Sequence, residues 1–182
     1  MKKNKDVRLI IRRDHLFSLE VVAFIFTVIV GSALHFTYEL SGKSNIVALF
    51  SAVNESTWEH LKIAFFPILI FALIEHYYLN KSVQNLFFGK LTAYLTMAIL
   101  IIVAFYSYTY FTRDSILIAD IIVFILSALI GHLLSYRIIR STREYKLLNL
   151  ISAFLFVIIA ILFMYFTFIP LDNLLFVPPP EH

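Results

Sequence analysis

The chain has 182 residues, of which 60% are hydrophobic, 16% aromatic and only 15% charged, with a formal net charge of +3. A water-soluble domain is about half apolar and a quarter charged, so this composition excludes soluble catalytic domains, nucleotide-binding folds and zinc-finger arrays. It points to an integral membrane protein, and at roughly 20 apolar residues per spanning helix there is room for about five spans.

The basic leader, residues 1–15, carries Lys2, Lys3, Lys5, Arg8, Arg12 and Arg13. Span one follows over about 16–40, interrupted by Glu20 near its start and polar at its other end through Ser32, His35, Tyr38 and Glu39. Gly31-Ser32-Ala33 resembles a signal-peptide cleavage site, but the apolar run continues past it, so the leader is expected to stay attached. The apolar piece Asn45 to Val53 is too short to cross a bilayer and reads as a re-entrant or interfacial segment. Span two, about 56–79, is cleanly apolar only from Ile63 to Ile74. Spans three, four and five cover about 86–111, 116–139 and 147–169. The tail, 170–182, contains Pro178-Pro179-Pro180 and cannot be helical there.

The expected fold is therefore an all-α, five-span membrane protein forming one membrane domain over 1–182. Lys and Arg collect in cytoplasmic loops, so their distribution sets the orientation. With the N-terminus inside, the leader, Lys81, Lys90, Arg137, Arg140, Arg143 and Lys146 place twelve of fifteen basic residues on the cytoplasmic side, leaving Lys43, Lys62 and Arg113 outside. The topology expected is N-in and C-out, with an extracytoplasmic tail. Basic residues spaced between apolar runs are topology signals and form no nucleic-acid footprint. The absence of cysteine excludes disulfides, iron–sulfur clusters and thiol catalysis.

This layout gathers chemically capable residues at the outer ends of the spans. His35 and Glu39 are four apart and share a helix face, with Ser32 about one turn deeper. Asn54-Glu55-Ser56-Thr57-Trp58-Glu59-His60-Leu61-Lys62 opens span two, Asp120 lies about one turn inside span four, and Tyr106, Tyr108 and Tyr110 come from span three. Ionisable groups inside a membrane are costly enough that function is the default reading. Structural roles stand beside it. Ser56 to Glu59 fits a capping box, Glu59 and Lys62 can pair at i, i+3, Trp58 suits an interfacial anchor, and the tyrosines suit an aromatic belt. Asp120 has no charged neighbour in sequence and needs a partner from another helix, with His35, His60 and Lys62 at the right depth.

On the opposite side stand Glu75, His76, Asn80, Lys90, His132, Ser135 and Arg137. Pairing of Glu75 with Arg137 or Lys90 would neutralise charge near the boundary. Asp120 and His132, about 18 Å apart along one helix, could mark two ends of a proton path only if other groups bridged them.

The block Asn54, Glu55, Ser56, Trp58, Glu59, His60 and Lys62, preceded by Ile46 to Val53 and by His35 to Glu39, resembles the N-E-S-x-W-E-H-x-K signature of a family of small, functionally uncharacterised polytopic membrane proteins of clostridial-type bacteria. The resemblance implies that the outer block is the family's defining feature. It supplies no activity.

Three functions fit these residues. The foremost is binding or transport of a cation or polar small molecule in an outward-facing cavity; transport would require a cavity crossing the midplane toward Glu75 and His132. The second is a metal-dependent intramembrane hydrolase acting on a lipid-like substrate. Its divalent zinc, manganese or iron would be drawn from His35, Glu39, Glu55, Glu59, His60 and Asp120, with Glu55, Glu59, His60 and Asp120 as the catalytic candidates. The spacing matches neither H-E-x-x-H nor a G-x-S-x-G elbow. The third is a structural or accessory protein whose polar cluster locks helices together. The expected partners are the lipid bilayer and a small polar or amphipathic ligand.

Overall fold

In a bilayer every backbone polar group must be satisfied within the protein, so long apolar runs form helices. The computed structural model describes residues 2–78 and 84–178, with side chains from residue 15 onward. Among these described residues are six helices: α1 (Lys2–Leu40), α2 (Asn45–Ala48), α3 (Thr57–Tyr78), α4 (Leu86–Thr112), α5 (Leu117–Ile139) and α6 (Lys146–Phe168). All but α2 contain a stretch long and apolar enough to cross a membrane, and no strand occurs among the described residues. Asn80 and Lys81 in the α3–α4 loop, and the tail beyond Pro178, lie outside the described residues.

Helix α1 packs on α3 and α5, and α4 packs on the same two, so these four close into a ring with α6 docked outside against α3 and α4. Helices α4 and α5 approach closely, because Gly131 lies against the Ala93 backbone: a Cβ there would be 2.6 Å from the Ala93 oxygen. Small residues permit such approach where helix association cannot draw on a hydrophobic driving force. Phe65, Tyr94, Met97, Phe156 and Phe163 fill the core between α3, α4 and α6. Ile118, Ile122 and Leu126 of α5, with Phe154, Val157 and Ile161 of α6, stand exposed, as lipid-facing side chains do.

Two features shape the middle of the ring. Pro67 within α3 has no amide proton to offer the Ile63 carbonyl one turn back. Gly31 of α1 sits beside that carbonyl, and a Cβ on Gly31 would lie 3.1 Å from the Ile63 oxygen and 2.7 Å from Phe124 Cζ. The glycine thus lets α1, α3 and the Phe124 ring meet.

At the end where α1 stops, Gly42 takes φ +70° and the Lys43 amide donates to the Tyr38 oxygen at 3.1 Å, turning the chain back. The apolar piece that follows makes only the single turn of α2. Beyond it the Ala52 amide donates to the Leu34 oxygen, while Ser51 Oγ accepts from the Tyr38 amide at 3.0 Å and bonds the Leu34 carbonyl. These contacts fold the segment against the last turns of α1. The tail returns to the same end, where the Trp58 amide donates to the Leu175 oxygen at 2.8 Å and the Phe176 ring stacks on Trp58 with centroids 4.6 Å apart. Trp58 also contacts Phe163 and Phe166, so the tail holds it in an aromatic cluster.

Candidate functional site

His35 comes from the second-last turn of α1, His60 from the first turn of α3 and Glu55 from the chain just before α3. Their polar atoms form a triangle: His35 Nε2 to His60 Nε2 is 3.2 Å, His35 Nε2 to Glu55 Oε2 is 3.3 Å, and His60 Nε2 to Glu55 Oε2 is 3.6 Å. Four ligands around a tetrahedral ion with bonds of about 2.0–2.1 Å sit about 3.3 Å from one another. The three protein atoms therefore have the mutual spacing of one face of such a site, and they are the sole group of three or more His or acidic residues among the described residues with that convergence.

The local chain explains the orientation. His60 Nδ1 donates to the Ser56 carbonyl oxygen at 2.9 Å, which leaves the Nε2 lone pair pointing into the triangle. A backbone carbonyl on the remote ring nitrogen is the usual way a metal-binding imidazole is fixed in tautomer and direction. With His60 Nε2 bare, His35 Nε2–H is the donor to His60 and Glu55. The Glu55 carboxyl is held below the usual carboxylate range by its hydrogen bond with His35 and by the charge of His35, which outweigh partial desolvation.

The triangle borders a pocket of about 730 Å³ inside the four-helix ring. Asp120 lines it from α5, and its Oδ1 accepts from Tyr108 at 2.5 Å. That partner, a tyrosine of α4, was not among those expected from depth. Asp114 and Ser115 line the pocket near its polar end. Its deeper wall is apolar, ending at Gly31, Ile63, Ile101 and Phe124.

Other sequence candidates go elsewhere. The Glu39 side chain pairs with Lys43, at 3.6 Å on the exposed surface. Glu59 turns away from His60 and pairs with Lys62 at 2.5 Å, both buried. Lys62 also donates to the Ala48 oxygen and Thr167 Oγ1, each at 2.8 Å, and Glu59 accepts from the Val53 amide at 3.0 Å. This pair ties the α2 segment to α3 and α6. The capping arrangement at Ser56 is one-sided. Ser56 Oγ faces the Glu59 amide at 3.4 Å, but the Ser56 amide is taken by Asn54 Oδ1, so Glu59 reaches back to Val53 instead.

A second polar set lies at the opposite end of the ring, where each of the four helices contributes. Lys90 Nζ of α4 is 2.9 Å from Glu20 of α1 and 2.7 Å from Glu75 of α3, at ion-pair distance though off ideal hydrogen-bond angles. His132 Nδ1 and Ser135 Oγ of α5 each lie 2.8 Å from Glu20, and Thr27 Oγ1 is 3.1 Å from His132 Nε2. Glu20, which sequence position marks only as an interruption of span one, is the hub. Arg137 is exposed on α5, and Glu75 takes Lys90 as its partner. Two carboxylates face one ammonium, so the set is neutral only when it carries one further proton.

These observations define a helical protein with five membrane-compatible helices and a His/carboxylate triangle at the edge of an internal pocket. The chain belongs to a family of unknown function (DUF6512), whose model matches residues 10–178 and so spans the triangle, the pocket and the opposite polar set. No curated protein and no solved structure matches the chain.

Proposed function

We propose that this protein binds a divalent transition metal, zinc foremost, at His35, Glu55 and His60, and presents the metal's remaining coordination position to a ligand in the adjoining pocket. The observation that carries this reading is the 3.2, 3.3 and 3.6 Å triangle of ligand atoms, contributed by three separate segments. Two imidazoles and a carboxylate are a donor set suited to zinc, and three protein ligands with an open fourth position distinguish a working site from a closed structural one. Asp120 stands in the same pocket as a second carboxylate able to accept a proton from whatever binds.

The reading includes the orientation. Five membrane-spanning helices, with the N-terminus cytoplasmic and the C-terminus outside, place twelve of fifteen basic residues inside and the metal site at the outer face. Binding is better supported than translocation, because the pocket wall stops at Gly31, Ile63, Ile101 and Phe124, short of the Glu20–Lys90 set. Zinc titration of metal-free purified protein tests the proposal. One ion per chain should bind, and His60→Ala and His35→Ala should each weaken binding by more than about 100-fold, since even second-shell partners of a metal ligand carry about 10–100-fold. Unchanged binding in both variants would reject it.

A further inference from the structure

Resting on the metal reading for the position of the head group, we infer that the pocket takes an uncharged amphiphile: a lipid whose head presents hydroxyl groups, as a glycerol or sugar does, with its hydrocarbon chain leaving between α1 and α5.

The path for the chain follows from which lining residues are exposed. Ser32 and Phe36 on α1 and Leu117, Ile121 and Ile125 on α5 line the pocket yet remain open to the outside of the bundle. The two helices are joined lower down by Thr27 and His132 and by Gly31 against Phe124, so the gap is floored there and open above. Ile125 lies two turns into α5, about 12 Å along a helix about 35 Å long, so the opening faces the apolar part of the span. A pocket of 730 Å³ holds a head group and the first part of a chain. The remainder of the chain would lie in the bilayer.

The head group follows from charge and donor chemistry. The lining carries the carboxylates of Glu55, Asp114 and Asp120 and no lysine or arginine, so three negative charges outnumber the two positive charges of a bound divalent ion, which disfavours a phosphate head. A protonated amine has no lone pair to offer a metal. A hydroxyl satisfies both walls, giving an oxygen lone pair to the open coordination position and its proton to Asp120, whose Oδ1 is already held by Tyr108. The polar groups at one end and Phe36, Phe105 and Phe124 along the rest match one amphipathic molecule.

The test is photolabelling of the wild-type, zinc-loaded protein in detergent with a monooleoylglycerol analogue carrying a diazirine in its acyl chain. Labels should map to Phe36 on α1 and to Ile121 and Ile125 on α5. Unlabelled monooleoylglycerol should compete at least ten-fold better than lysophosphatidic acid of the same chain, oleylamine or free glycerol. Ser32→Trp and Ile121→Trp, both at exposed positions, should each cut labelling about ten-fold while zinc binding is retained. Labelling confined to the outer faces of α5 and α6, equal competition by lysophosphatidic acid, or unchanged labelling in both tryptophan variants would overturn the inference. Zinc bound with no pocket labelling would also overturn it. Pocket labelling that persists when no zinc binds would instead refute the metal reading and leave the lipid site standing.

Discussion

His60 Nδ1 donates to the Ser56 carbonyl oxygen at 2.9 Å, and this bond decides which ring nitrogen faces His35. Because Ser56 is fully buried at the start of α3 and its own amide is fixed by Asn54 Oδ1, the carbonyl is a rigid reference for the imidazole. The triangle is thus preset by backbone, with His35 Nε2–H left as the proton that a metal must displace.

Metal affinity should accordingly rise with pH, because zinc competes with protons for the imidazoles and the carboxylate of the triangle. Zinc titrations between about pH 5.5 and 8 check this, with proton release into weak buffer as the direct readout. Affinity independent of pH would assign the metal to other groups.

Glu55 gives a pH dependence of the opposite cause. Its carboxyl is held below its ordinary value of 4.5, so the stability that it contributes is complete above that value and is lost as pH falls through the lower folded value. Metal-free wild type should be more thermally stable than Glu55→Gln above about pH 5, and the gap should close in more acidic buffer. Thermal melts of the two proteins across that range measure it.

Glu59 and Glu55 are four residues apart yet have separate work. Glu59→Gln should lower stability by leaving the buried Lys62 ammonium unpaired, a loss of about 3–5 kcal/mol for breaking one side of a buried pair, and should leave zinc binding intact. Glu55→Gln should do the reverse, weakening zinc binding at a much smaller cost in stability than Glu59→Gln, because the Glu55 side chain is more than half exposed. Melts and zinc titrations of both variants decide which carboxylate is the ligand.

At the opposite end, Lys90→Met should cost about 3–5 kcal/mol, because Glu20 and Glu75 are then left facing each other without a cation. The double variant Lys90→Met with Glu75→Gln should recover part of that loss by removing one orphaned carboxylate. Detergent melts of the two test this, and a double variant weaker than the single one would show that Glu75 has another role.

Trp58 is the only tryptophan in the chain and lies beneath Phe176. Phe176→Ala should therefore shift its fluorescence emission to the red as the ring is uncovered. Emission unchanged from wild type would show that the tail does not rest on Trp58.

Much of this fold is legible in the amino-acid sequence, because five long apolar runs have one stable solution in a bilayer, and charge between them reads as boundary. Some pairs are legible too: Glu59 with Lys62 follows from i, i+3 spacing, and Lys90 was one of two partners expected for Glu75. Glu20 shows where such reading stops. One carboxylate near the start of a span looks like an interruption, and nothing local reveals that Lys90, His132 and Ser135 converge on it from two other helices. The candidate site was legible as residue types, but not as a selection among them. Six candidate ligands stood at one depth, and the outcome turned on side-chain directions set at a distance. Glu59 is drawn to Lys62 and Val53, Glu39 points to Lys43, and Asp120 is held by Tyr108, which leaves His35, Glu55 and His60 together.

The metal triangle is tested most directly by zinc X-ray absorption on the purified protein loaded with one equivalent, recorded for wild type and for His60→Ala. Wild type should show a first shell of four nitrogen or oxygen neighbours at about 2.0–2.1 Å with the outer-shell scattering of two imidazoles, and His60→Ala should lose one imidazole along with most of its affinity. A wild-type spectrum of six-coordinate hydrated zinc without imidazole scattering, or one that His60→Ala leaves unchanged, would contradict the account.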